Sequence, residues 1–110
     1  MNKEDLYQLS FHLIAHSGNA RSLAMEAIQN AKAGEFKSSE DKLIEADEEF
    51  AKAHKYQTEL IHKEAGGADF HIPIILIHAQ DHLMTAQAVK DLAKEIIELY
   101  SGSKKPEEHK

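Results

Sequence analysis

The chain has 110 residues, of which 42% are hydrophobic and 29% charged, and a formal net charge of −6. That describes one globular domain with a modest core, and it argues against a nucleic-acid surface, which needs a net basic patch. There is no cysteine, so disulfides, zinc knuckles and thiol nucleophiles are excluded. The longest apolar run, Ile72 to Ile77, is far short of a membrane span. The N-terminus also lacks the basic start and unbroken apolar stretch of a signal peptide, so a cytoplasmic protein with no membrane insertion is expected.

From about Lys3 to Lys32, Leu6, Leu9, Leu13, Ile14, Met25 and Ile28 fall at helical spacing among Ala20, Ala24, Ala27 and Ala31. This predicts a long helix with a slim apolar face. Gly34 follows a lysine in the last turn and is placed to cap it. A second helix is predicted to about Ala65. Phe36, Leu43, Phe50 and Gln57 repeat every seven residues, and Ser39, Ala46, Ala53 and Leu60 repeat on the matching offset, the seam of a helix lying along a partner.

"GGAD" at 66 to 69 breaks the chain again. Asp69 is the expected N-cap of a third helix, with Pro73 in or near its first turn and the helical pattern continuing through Tyr100. The ending "SGSKKPEEHK" has no periodicity and reads as a frayed tail. The organisation is thus an all-α, antiparallel three-helix bundle over residues 1–102, followed by a disordered tail at 103–110.

The third helix has an odd face. At about 100° per residue, His78, Asp81, His82 and Thr85 share one side, with Ile74 and Ile75 before them on the same stripe and Val89, Leu92 and Ile96 after. Leu76 and Leu83 lie on a different side. A helix apolar on two sides packs against more than its neighbours in the subunit, which predicts oligomerisation. A polar island inside an apolar seam is costly unless each member has a partner, borders a cleft or serves a task.

The bland reading of a histidine there is a hydrogen-bonded structural residue. The spacing of His78 and His82 is also the i, i+4 pair that a helix offers to zinc, with Asp81 as a third donor. Ala79, however, stands where a metalloprotease needs glutamate. "ELIH" at 59 to 62 matches one Glu-x-x-His unit of a di-iron bundle, but a second unit is missing. Neither Ser17 nor Ser22 has the setting of a triad nucleophile. A nucleophilic histidine remains: a neutral imidazole can accept a phosphoryl group on nitrogen, provided it is accessible and a second donor stands beside it. His78, with His82 one turn away, meets both demands.

"LIHAQDHLMTA" at 76 to 86 resembles the active-site signature of the enzyme IIA component of the lactose/cellobiose (chitobiose) class of the bacterial sugar phosphotransferase system (PTS). "GNARSLAMEAI" at 18 to 28, "AKAGEFKSSEDKLIEADEEFAKAHKYQTELIHKEAGG" at 31 to 67 and "VKDLAKEIIELY" at 89 to 100 follow the family's order and spacing, so the resemblance covers about residues 4 to 100. It implies a homotrimer of three-helix subunits that acts as a cytoplasmic phosphocarrier. His78 would take a phosphoryl group from phospho-HPr and pass it to a cysteine of enzyme IIB, for uptake of a β-disaccharide, cellobiose-type in preference to lactose or chitobiose.

The resemblance also implies that Asp81 meets its two symmetry copies at the trimer axis around a divalent metal, Mg2+ in the usual reading, and that His82 and Gln80 have supporting places around the phosphoryl group. One departure is Asn19, where family members commonly carry an acid before "ARS". The competing reading from a different class is a non-catalytic, metal-binding trimeric bundle that acts as an interaction module.

Overall fold

The first helix begins where side chain and backbone satisfy each other's end groups. Asn2 Oδ1 accepts from the Asp5 amide at 2.8 Å and the Asp5 carboxylate accepts from the Asn2 amide at 3.4 Å, a capping box. The structure, a computed structural model, describes residues 2–69 and 71–104. Within them the chain folds as α1 (Lys3–Lys32), α2 (Phe36–Ala65) and α3 (Ile74–Lys104). The three-helix reading therefore holds, with the first two helices ending where the sequence placed them.

Both connections are built alike. The Gly34 amide donates to Ala31 and the Glu35 amide to Asn30, with Gly34 at φ +80; the Gly67 amide donates to Glu64 and the Ala68 amide to Lys63, with Gly67 at φ +100. These are paired Schellman closures, which put a residue of left-handed conformation just past the helix end, and glycine fits there without a Cβ penalty. The first connection takes three residues, and the second runs from Gly66 to Pro73. α1 and α2 are therefore antiparallel, as are α2 and α3.

The start of α3 differs from the sequence reading. Asp69 does not cap it: the helix opens at Ile74, and the Leu76 amide turns back to the Pro73 carbonyl at 3.0 Å. Proline disfavours helical backbone in the residue before it, so Ile72 cannot belong to the helix and the first turn forms after Pro73. At the other end α3 runs past Tyr100 to Lys104, so residues 103 and 104 of the expected tail are helical. Residues 105–110 lie outside the described residues.

α1 is the central helix, packed along both α2 and α3, while α2 and α3 touch over a smaller region. Its buried line is Leu6, Leu9, Ser10 and Leu13, followed by Ser17, Ala20, Ala24, Ala27 and Ala31. Large side chains thus fill only the upper third, against Leu60, Leu76 and Leu83. Below, alanines and serines let the helices approach closely. α2 buries Ser39, Ala46, Ala53 and Leu60, the predicted seven-residue seam, and Ser39 Oγ donates across to the Ala27 carbonyl at 2.8 Å. Met25, read as core from its spacing, is half exposed because it sits about 100° around α1 from the buried line.

Candidate functional site

α3 presents two faces. Leu76, Ala79, Leu83, Ala86 and Ala93 are buried against the other helices. The stripe that carries the polar island points outward, so His78, Asp81 and Thr85 are exposed and His82 is half-buried. Sequence hydropathy placed these residues in an apolar seam, and the seam is there, but among the described residues of the subunit nothing covers it. Ile74 is 82% exposed at its start and Leu99 74% at its end, with Leu92 between them also exposed.

On this open face the two imidazoles meet. His78 Nε2 and His82 Nε2 are 3.0 Å apart, with the rings edge to face and their centroids 4.5 Å apart. One Nε2 donates and the other accepts, so each ring holds the other's tautomer. Thr85 turns its hydroxyl back to the Asp81 carbonyl at 2.8 Å, with the His82 carbonyl 3.2 Å away, which ties the backbone of the island together. The Asp81 carboxylate points to the same face and has no hydrogen bond or ion pair among the described residues.

Gln80 is not part of this constellation in the subunit. Two residues from His78 it points about 160° away around the helix, and its Oε1 accepts from Gln57 Nε2 at 2.8 Å. That bond joins α2 to α3 behind the site. Further along the same seam, Lys90 lies 3.2 Å and Lys94 3.3 Å from Asp47 Oδ1, and the Lys90 ammonium stands 4.4 Å from the centre of the Phe50 ring. These ion pairs and the ring contact tie α3 to α2 on the side away from His78.

A second polar cluster, on the α1–α2 side, was not singled out from sequence. His16 Nδ1 lies 2.9 Å from Glu49 Oε1, which also accepts from Asn19 Nδ2 at 3.1 Å, while Lys52 donates to Oε2 at 3.1 Å. The hydrogen bond with His16, then that from Asn19, holds the Glu49 carboxyl down at about 2 despite partial burial. The Tyr56 ring stacks on His12 at 4.7 Å. Asn19 has a clear place here: its amide donates to a carboxylate that an acid at the same position would repel. The signal in the sequence was the spacing of His12 and His16, the same i, i+4 pair as in the third helix.

Compared with known proteins, residues 8–101 match the family model described as the PTS system, lactose/cellobiose specific IIA subunit. The chain belongs to this family. It is 55% identical over 97 residues to the lichenan-specific phosphotransferase enzyme IIA component of Bacillus subtilis, covering 88% of both chains. It is 46% identical to the lactose-specific EIIA component of Streptococcus mutans, over 91% of this chain and 96% of that one.

Among solved structures, the cellobiose-specific enzyme IIA of Bacillus anthracis superposes with a TM-score of 0.86 at 49% identity, over 93% of this chain and 92% of that one. The chitobiose IIA solved in complex with HPr superposes with a TM-score of 0.80 at 36% identity, over 91% and 97%. This IIA subunit is accordingly a phosphocarrier component of the phosphotransferase system, and its fold is the family's. No helix among its described residues is long and apolar enough to cross a membrane.

Proposed function

We propose that this IIA subunit carries its phosphoryl group on His78 Nε2. The observation that carries the reading is an exposed imidazole whose Nε2 stands 3.0 Å from a second imidazole nitrogen. The lone pair on Nε2 attacks phosphorus, and the P–N bond of the donor's phosphohistidine breaks with its electron pair returning to the donor ring. His82 then donates from Nε2 to a phosphoryl oxygen in place of the nitrogen it faced, which orients the group and offsets its charge. In the second half the thiolate of an IIB cysteine attacks phosphorus, the P–Nε2 bond breaks, and His78 regains its lone pair. The donor is HPr, consistent with the chitobiose relative solved in complex with HPr. The cytoplasm is the compartment in which all three meet.

For the sugar we favour cellobiose-type β-glucosides. The relatives at 55% and 49% identity are named for lichenan and cellobiose, and those named for lactose fall slightly lower. This assignment concerns the sugar system that the subunit serves.

The apolar stripe on α3 needs a cover, and a second and third copy of the chain are the occupants that fit. Ile74, Asp81 and Ala88 repeat every seven residues, and Thr85, Leu92 and Leu99 repeat on the matching offset of a coiled-coil seam, and all six are exposed in the subunit. Three parallel α3 helices would bring three Asp81 carboxylates to one axis. The residue fits a hard divalent cation: its oxygens have no other partner among the described residues, and Mg2+ takes carboxylate and water oxygens. The cation would offset the mutual repulsion of the three charges, while His78 and His82, beside the axis, do the chemistry.

The test is intact mass after incubation with phosphoenolpyruvate, enzyme I and HPr, with His78→Gln alongside. Gain of one phosphoryl group by the parent only is the expected result. No gain by either, with HPr shown to be active, would return the island to assembly alone.

A further inference from the structure

We propose that the His78–His82 pair is also a chelating site for borderline transition-metal ions, Zn2+ first among them, and that such an ion blocks phosphoryl acceptance. The two Nε2 atoms already converge at 3.0 Å on an open face, one half-buried and one exposed. Zinc bonds imidazole nitrogen at about 2.0–2.1 Å, so two ligands of one tetrahedral ion stand about 3.3–3.4 Å apart. The pair needs to open by only about 0.3 Å, with each ring turning so that its Nε2 lone pair faces the ion rather than the other nitrogen. Both residues sit on one rigid helix and are held by the same turn, so the backbone has nothing to rearrange.

The proton balance is simple. In the free pair one Nε2 bears hydrogen and the other a lone pair. When the ion enters, the hydrogen moves through solvent to Nδ1 of its own ring, and both Nε2 atoms offer lone pairs from neutral imidazoles. Water fills the remaining positions. The neighbouring Asp81 carboxylate and the chain's net charge of −6 favour a cation at this face without supplying a ligand. Imidazole selects Zn2+, Ni2+ and Cu2+ over Mg2+, which prefers oxygen, so this ion does not compete for the axial carboxylates. The lone pair taken by the metal is the one that would attack phosphorus. Metal and phosphoryl group therefore exclude each other.

The blocking part rests on the phosphocarrier reading; the binding part does not. Zn2+ is titrated calorimetrically into the unphosphorylated full-length protein, and Mg2+ into a parallel sample. His78→Gln and His82→Gln should each weaken the Zn2+ site at least tenfold, and His12→Gln, which breaks the other i, i+4 histidine pair, should leave it unchanged. Mg2+ should give no response that depends on either histidine. In a second arm pre-formed phospho-HPr is the donor, and loading of the parent should fall by half near the Zn2+ dissociation constant, while protein that is already phosphorylated should not bind Zn2+. Loss of Zn2+ binding in His12→Gln, or retention in both His78→Gln and His82→Gln, overturns the site and leaves the phosphocarrier reading untouched. Binding at the pair with undiminished loading overturns the block.

Discussion

Glu49 shows how much one side chain can carry in a thin bundle. Its carboxyl is held at about 2, against an ordinary 4.5, first by the hydrogen bond with His16 and then by that from Asn19. A depressed acid contributes stability that is complete above its unfolded value and disappears as pH falls through its folded one. The window is therefore from about 4.5 down to about 2. Glu49→Gln should lower stability at neutral pH and flatten its decline in that window, as measured by urea denaturation between pH 6 and 2.5.

Gln57 and Gln80 form a similar pair between α2 and α3. Replacing either with alanine strands the other amide and should cost about 1 kcal/mol, and the double variant little more, a coupling that a double-mutant cycle reads directly. Gln80 also marks the limit of motif reading. The resemblance gave it a supporting place around the phosphoryl group; within the subunit it points about 160° around the helix from His78, to Gln57. For His78, Asp81 and His82 the same arithmetic was enough, because i, i+3 and i+4 positions share a face whatever the tertiary context.

At the scale of elements, the two connections depend on glycines with positive φ. Neither Gly34 nor Gly67 has a heavy atom within 4 Å of the position a Cβ would take, so alanine there meets open space and the cost is conformational alone. Gly34→Ala and Gly67→Ala should each lower stability by about 1 kcal/mol without altering the fold, seen as parallel shifts in the urea midpoint at unchanged slope. These glycines also explain why the ends of α1 and α2 were legible: the residue that terminates the helix is the one whose chemistry demands it. The seven-residue seam of α2 was legible for a related reason, since Ser39, Ala46, Ala53 and Leu60 are all buried. The start of α3 was not. Asp69 is a good cap by type, but the restriction that Pro73 imposes on Ile72 is a steric effect on the preceding residue, and it prevailed over capping preference.

For the molecule as a whole, hydropathy told which α3 residues avoid water but not which surface they avoid it with. Leu76 and Leu83 are buried in the subunit, while Ile74, Leu92 and Leu99 are equally apolar and exposed. A core that is large side chains at one end and alanine and serine along the rest leaves the isolated subunit little apolar area to bury, and the exposed stripe is the apolar surface that the proposed assembly would bury. Sedimentation equilibrium should give three times the 12.4 kDa chain mass. Leu92→Lys, which would set three ammonium groups against one another in the proposed seam, should return the protein to monomer and lower its melting temperature.

Asp81 separates assembly from metal dependence. In the proposed trimer three unpaired carboxylates would meet at the axis and repel unless a cation sat among them, so a chelator should weaken it. In Asp81→Leu the repulsion is gone and apolar packing replaces it, so the trimer should persist or tighten and no longer respond to the chelator. A monomeric Asp81→Leu would mean that the carboxylate makes a specific bond to a neighbouring subunit, and the cation would then have no part in holding the three chains together.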